Sequence, residues 1–198
     1  MNASLTVPRR AGGFERTETD LPGVCLIAPG VVADARGFFA ETYRADHFAA
    51  LGIADVFVQD NHSRSRRGIL RGLHAQLHHP QAKLCRVTQG EVLDVAVDIR
   101  KGSPHFGRHV AVHLSTENRV EIYVPRGFAH GFLVLSDYAE FQYKCSDYYD
   151  RSDEIGVLWN DPALAIRWGV TTPELSARDS VLPRLADIPP DRLPRFEG

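Results

Sequence analysis

The sequence predicts an all-β domain, built as a sandwich, a jelly roll or a barrel. Two observations carry this. Turn signals recur at short intervals, as "LPG", "DARG", "RRG", "TQG", "KGSPHFG" and "VPRGF". Between them lie about eight runs rich in β-branched and aromatic residues, too short and too closely spaced for helices. At 198 residues the chain is long enough for one full hydrophobic core with arms.

The strand runs, in order, are "VCLIAPGVV", "VFVQDNH", "LCRVTQ", "VLDVAVDIR", "HVAVHLS", "VEIYVP", "HGFLVLS" and "AEFQYKCS". The clearest helical pattern is "RADHFAALG", with Arg44 or Asp46 at its start and Gly52 at its end. A second helix is expected in "PELSARDSVLP". The whole chain, 1–198, reads as one domain, with an N-terminal extension over 1–20 and a C-terminal arm over 173–198. No repeat or low-complexity block interrupts it.

Composition excludes several classes. Lys and Arg total 23 against 25 Asp and Glu, so the balance points neither to nucleic acid nor to an anionic membrane. No apolar run approaches bilayer length, and "MNASLTVPRRAGG" has no signal-type apolar stretch. Cys25, Cys85 and Cys145 are far apart and odd in number, which suits buried thiols in a reducing compartment. A cytoplasmic protein is expected.

Strand alternation sorts the side chains. Leu93, Val95, Val97 and Ile99 share one face, and Asp94 and Asp98 the other. Phe141, Tyr143 and Cys145 share a face, opposite Glu140, Gln142 and Lys144. In "GILRGLHAQ", strict alternation puts Leu70, Gly72, His74 and Gln76 on one side, and Ile69, Arg71 and Leu73 on the other. Any one of His74 or Tyr143 alone would read as a satisfied core residue. Arg64, Arg66 and Arg67 read as a solvated loop, and His109 and His113 as an outward polar row.

The stretch "GILRGLHAQLHHPQAKLCRVTQGE" gathers Arg71, His74 and Lys83, and "PRGFAH" follows with Pro125, Gly127 and His130. This spacing resembles the metal-binding frame of cupin jelly rolls, but the ligand chemistry is missing. Gln76 stands at the second histidine position, Lys83 at the glutamate position and Val134 at the final asparagine position. An ammonium group repels a dication, and an amide is a poor transition-metal ligand. No metal is expected. A histidine base, a lysine beside a developing enolate oxygen and a tyrosine donor suit proton abstraction next to a carbonyl instead. Asp94 is the partner for His74 that the residues alone suggest.

From Gly23 to Pro183 the chain resembles the dTDP-4-dehydrorhamnose 3,5-epimerase family, through "DARGFFAETY", "FVQDNHSRS", "ILRGLHAQ", "QAKL", "GEVLDVAVDIRKGSPHFG", "VPRGFAHGFLVLSDYAEFQYKCSDYY", "WNDP" and "PELSARD". The resemblance implies a cupin-type jelly roll, a homodimer, no metal and no organic cofactor. It implies a thymidine-diphosphate 4-keto-6-deoxyhexose substrate, inverted at C3 and C5, for dTDP-L-rhamnose synthesis. It assigns His74 as base, Asp179 as its partner, Lys83 to the C4 oxygen and Tyr143 as the acid on the other face. Arg36, Glu41, Gln59, Asn61, Arg71, His130, Glu154 and Arg178 match positions that hold the nucleotide, the diphosphate or the sugar. If Arg71 serves the His74 site, a bulge at Gly72 or a reach into a partner's site is required. Ala75 departs from the family's usual aromatic residue, and the N-terminal extension has no clear counterpart. Three alternatives stand beside this reading: a single-centre 3- or 5-epimerase, a non-catalytic sugar-nucleotide-binding jelly roll, and a metal cupin.

Overall fold

A computed structural model describes residues 9–197. Among the described residues fourteen strands form: β1 (Arg9–Ala11), β2 (Phe14–Glu18), β3 (Cys25–Pro29), β4 (Val31–Asp34), β5 (Gly37–Ala40), β6 (Gln59–Arg66), β7 (Leu70–Gln76), β8 (Lys83–Gln89), β9 (Glu91–Asp98), β10 (His109–Ser115), β11 (Glu121–Val124), β12 (Phe128–Val134), β13 (Tyr138–Cys145) and β14 (Glu154–Gly156). A short helix, α1 (Ala45–Ala50), lies between β5 and β6. A seven-stranded sheet runs in the order β1-β2-β3-β11-β8-β13-β6, and a five-stranded sheet in the order β10-β9-β12-β7-β14. Every pairing between these strands is antiparallel. Two facing antiparallel sheets with crossover connections make a jelly roll.

The alternation read from β9 and β13 decides the layers. Leu93, Val95, Val97 and Ile99 turn outward from the small sheet and are buried by Trp159, Trp168 and the chain beyond. Val92 and Ala96 turn inward and meet Phe128, Phe132 and Phe141 between the sheets. Helix α1 covers the outer face of the large sheet, where Phe48 and Leu51 pack on Phe14, Ile27 and Leu84. It stops at Gly52, whose φ of +84° takes the chain out of the helix. Apolar layers on both faces of the small sheet explain why β9 is buried almost throughout.

Several expectations need correction. Residues 9–18, expected in an extension, form the β1–β2 hairpin at the edge of the large sheet; residues 1–8 lie outside the described residues. Arg64 and Arg66 belong to edge strand β6, not to a loop; Arg66 pairs with Glu174, while Arg67, just beyond the strand, pairs with Asp137. The "PELSARDSVLP" helix is a single 3-10 turn, Asp179–Val181. Pro173 and Pro183 bound that segment, and its residue Glu174 is instead drawn into a bridge with Ile69. The β4–β5 hairpin stands apart as its own two-stranded unit.

Candidate active site

The cleft opens between the two sheets, and β7 builds its floor. Strict alternation fails there. His130 on β12 pairs with His74, but Phe132 pairs with Arg71, so β7 carries one residue more than its partner between those points. The extra residue is a bulge at Gly72–Leu73. Gly72 has φ +124°, and a Cβ there would stand 2.6 Å from the Cα of Gly131. Glycine is therefore required by both torsion and space. Beyond the bulge the faces are reset. Leu70, Leu73 and Ala75 join the outer core, while Arg71 and His74 line the same cavity. The bulge thus places in one protomer two side chains that alternation put on opposite faces.

That cavity, about 490 Å³, holds Arg71, His74, Lys83, His130, Tyr143, Glu154, Arg178 and Asp179. An adjoining cavity of about 340 Å³ shares His74, Lys83, Tyr143 and Glu154 and adds Gln59 and Asn61. Arg36 and Glu41 line neither. Arg36 sits at the tip of the β4–β5 hairpin, bound to Asp34 at 2.6 Å, and Glu41 lies beside His47.

Asp179 Oδ1 accepts a hydrogen bond from His74 Nε2 at 2.8 Å. The carboxylate is brought there by the C-terminal segment. Glu174 exchanges backbone hydrogen bonds with Gly68 and Leu70, and the Ser176 hydroxyl then accepts the Asp179 N–H. Burial pushes the Asp179 carboxyl up, but the bond and charge of His74, the Gly72 N–H and Ser176 outweigh it, so the group ends below the usual carboxylate range. With Nε2–H donated to a carboxylate, Nδ1 is the basic nitrogen of this imidazole. Asp94, the partner suggested by sequence alone, is engaged elsewhere. Both its oxygens lie 2.9 Å from Nε2 of His130. The cleft therefore holds two imidazole–carboxylate pairs on neighbouring strands.

Tyr143 faces them from the other sheet. It pairs along β13 with Cys85 of β8 and Asn61 of β6, and it packs beside Phe141. Burial, then the neighbouring Cys145 and Cys85, push its hydroxyl up to about 12, against the opposing effect of Arg71. It is protonated throughout the neutral range. Lys83 opens β8 on the same sheet. Glu154 on β14 is held by Arg178 at 2.7 Å and stands 4.0 Å from His74 Nε2. Tyr149 also lines both cavities, and sequence reasoning passed over it because the irregular "SDYYD" segment has no period to place it.

The side chain of Gln76 is taken up by backbone partners. Its amide donates to the carbonyls of His79 and Tyr148 and accepts the N–H of Asp150. Among the described residues no three His, Cys, Asp or Glu side chains converge in a way that could hold a metal ion.

A jelly roll whose cleft sets an imidazole–carboxylate pair on one sheet against a half-buried phenol and a lysine on the other has the equipment of an acid–base enzyme for a polar, anionic ligand. Residues 18–187 match the sequence profile of dTDP-4-dehydrorhamnose 3,5-epimerase. The chain belongs to that family. It is 52% identical over 171 residues to the dTDP-4-dehydrorhamnose 3,5-epimerase of Salmonella typhimurium, covering 85% of this chain and 93% of that one. The crystal structure of dTDP-6-deoxy-D-glucose-3,5-epimerase from Legionella pneumophila in complex with dTDP-4-keto-L-rhamnose superposes with a TM-score of 0.91 at 46% identity, covering 93% of this chain and 100% of that one. A 3'-monoepimerase from Streptomyces bikiniensis, solved with dTDP-quinovose, gives a TM-score of 0.80 at 35% identity over 85% of this chain and 86% of that one.

Proposed function

We propose that this chain is a dTDP-4-dehydrorhamnose 3,5-epimerase, converting dTDP-4-dehydro-6-deoxy-D-glucose to dTDP-4-dehydro-L-rhamnose. One observation supports the mechanism: the imidazole of His74, bonded to Asp179, and the phenol of Tyr143 stand on opposite sheets of one cleft. Facing sheets lie roughly 10 Å apart, room enough for a sugar ring between them.

The C4 ketone acidifies the hydrogens on C3 and C5. His74 takes a proton from one carbon, the C–H electron pair moves into the C3–C4 or C4–C5 bond, and the negative charge falls on the C4 oxygen. Lys83 stabilises that enolate. Tyr143 then gives its proton to the opposite face of the same carbon, and the pair returns to the ketone. Solvent takes the proton from His74 and replaces the one lost by Tyr143. The second centre repeats the cycle. Asp179 keeps the imidazole in the tautomer with a basic Nδ1 and stabilises its charged form. Arg71, His130, Glu154, Arg178, Gln59 and Asn61 serve to hold the sugar nucleotide.

The enzyme works as a homodimer. The β4–β5 hairpin exposes Val32 by 70%, Phe38 by 59% and Phe39 by 73%, apolar surface that a second copy would cover. Arg36 and Glu41 then act in the neighbour's cleft, which accounts for their distance from their own. Among the described residues no helix is long and apolar enough to cross a membrane, and Cys25, Cys85 and Cys145 are buried and unpaired. Buried, unpaired thiols suit a reducing compartment, and on that ground we place the protein in the cytoplasm.

Proton NMR of the substrate in heavy water, with the wild-type protein, tests the function. Deuterium at both C3 and C5, with the L-rhamno product, is expected. Label and inversion at a single centre would favour the monoepimerase reading, to which the Streptomyces bikiniensis likeness lends some weight.

A further inference from the structure

We infer that Gln59, Gln76 and Gln81 form a clasp whose task is to fix Tyr149 as a wall of the cleft, so that Gln76 and Gln81 are positioning residues for substrate binding. The inference rests on the proposed function. Its observation is a run of four consecutive residues held by side-chain amides. Gln81 Nε2 donates to Asp147 O at 2.8 Å. Gln76 Nε2 donates to Tyr148 O at 3.2 Å. Gln59 Oε1 accepts from Tyr149 N at 3.0 Å. Gln76 Oε1 accepts from Asp150 N at 2.6 Å.

The segment has no strand or helix of its own, so these bonds replace the ladder that would otherwise order it. Gln76 and Gln81 are both buried, which makes their amides costly to leave unpaired and fixes their geometry. Neither can supply charge or take part in proton transfer. What they hold is Tyr149, which lines both cavities. Glu154 lines both cavities with it and Arg178 the larger one, so Tyr149 borders the space beside the pair that flanks His74; its phenol is pushed up by burial and then by Glu154, with Arg178 opposing. A wall there contacts bound substrate along the whole reaction. Such a contact lowers KM and leaves kcat alone.

A merely structural glutamine would behave differently. Its loss would reduce the fraction of folded enzyme, seen as a lower apparent kcat at unchanged KM. The test is a double-mutant cycle of Gln76→Ala with Tyr149→Ala, on dTDP-4-dehydro-6-deoxy-D-glucose. Each single variant should raise KM by roughly 5–30-fold with kcat within about threefold, an expectation for lost uniform binding. In the Tyr149→Ala background, Gln76→Ala should add less than about twofold. Full multiplication of the two KM effects, or an unchanged KM in Gln76→Ala, overturns the inference. Should Gln76→Ala fail to fold, Gln81→Ala runs the same cycle. Amide hydrogen exchange supplies a readout that needs no turnover: the Asp150 N–H should exchange faster in Gln76→Ala, and unchanged protection refutes the clasp. A wild-type protein inactive on this sugar defeats the proposed function, while the exchange result still decides whether the clasp exists.

Discussion

Arg71 and His74 lie three residues apart on β7 and face the same cavity, because Gly72 makes the strand bulge between them. The bulge depends on glycine on both sides of the contact. A Cβ on Gly72 would meet Gly131 Cα at 2.6 Å, and one on Gly131 would meet Arg71 O at 2.5 Å. Gly72→Ala is expected to destabilise the protein by about 1–3 kcal/mol, the usual range for overpacking. It should also lower activity in the fraction that remains folded, since either the bulge or the strand pairing must give. Thermal unfolding and specific activity, measured together, check this. A Gly72→Ala enzyme with native stability and native turnover would mean that Arg71 and His74 do not need the bulge.

Asp179→Asn keeps the shape of the side chain and removes the charge. The amide no longer enforces a basic Nδ1 on His74, so kcat should fall by roughly 10²–10⁴-fold. Stability carries a second signature. The Asp179 carboxyl is lowered in the fold, so it binds fewer protons folded than unfolded. Its stabilising contribution is complete above its unfolded pKa of about 3.9 and is lost as pH falls through the lower folded value. The stability gap between wild type and Asp179→Asn should therefore shrink below about pH 4. Urea titrations at pH 7 and in the acid range measure it; a gap that stays constant would refute the linkage.

Glu121 on β11 gives the opposite sign. It is buried on the outer face of the large sheet, and burial pushes it up to about 8 against the pull of Arg86 and Lys144. It holds its proton in the fold at pH values where the unfolded chain has lost it. The stabilisation is complete below the unfolded pKa of about 4.3 and drains away as pH rises toward the folded value. Glu121→Gln replaces the protonated acid with a neutral group of the same shape. Relative to wild type, the variant should gain thermal stability between pH 5 and pH 8.5. An equal difference in Tm at both ends would show that Glu121 is ionised in the fold.

The exposed β4–β5 hairpin predicts shared active sites. Arg36→Glu should weaken the neighbour's site, and His74→Asn should silence its own. Two such homodimers, each with low activity, should recover activity after subunit exchange, because some mixed dimers pair an intact hairpin with an intact base. Sedimentation should give twice the 22.0 kDa chain mass. A monomer at micromolar concentration, or no recovery on mixing, would count against the hairpin's role.

The layers of the fold were legible because they follow from side-chain period. The alternation of β9 and β13 sorted Leu93 from Asp94 and Phe141 from Gln142. Gly52 marked the end of α1 for a local torsional reason. What escaped is what depends on long-range pairing. A bulge at Gly72 is one of two devices the sequence offers for bringing Arg71 beside His74, and the close approach to Gly131 that goes with it has no local signal. Asp94 was the nearest acid in the pattern, yet it serves His130, and the carboxylate on His74 arrives from 105 residues away. Asp179 entered by resemblance to a known family, not by spacing. The expected tail helix gave way to one 3-10 turn because the segment bonds across to β7 instead of to itself. Tyr149 was missed for the same reason: side-chain amides from β6, β7 and the β7–β8 loop hold it, not its own neighbours.

The central claim is that His74 removes protons from one face and Tyr143 returns them to the other. Deuterium exchange and inversion, followed together by proton NMR in heavy water for His74→Asn and Tyr143→Phe, test it most directly. His74→Asn should lose deuterium uptake at both C3 and C5. Tyr143→Phe keeps its ring and loses only the hydroxyl. It should still exchange, because His74 can return solvent deuterium to the face it came from, while net epimerisation drops by roughly 10²–10⁴-fold. Full epimerisation by Tyr143→Phe, or exchange at the normal rate by His74→Asn, would contradict the account.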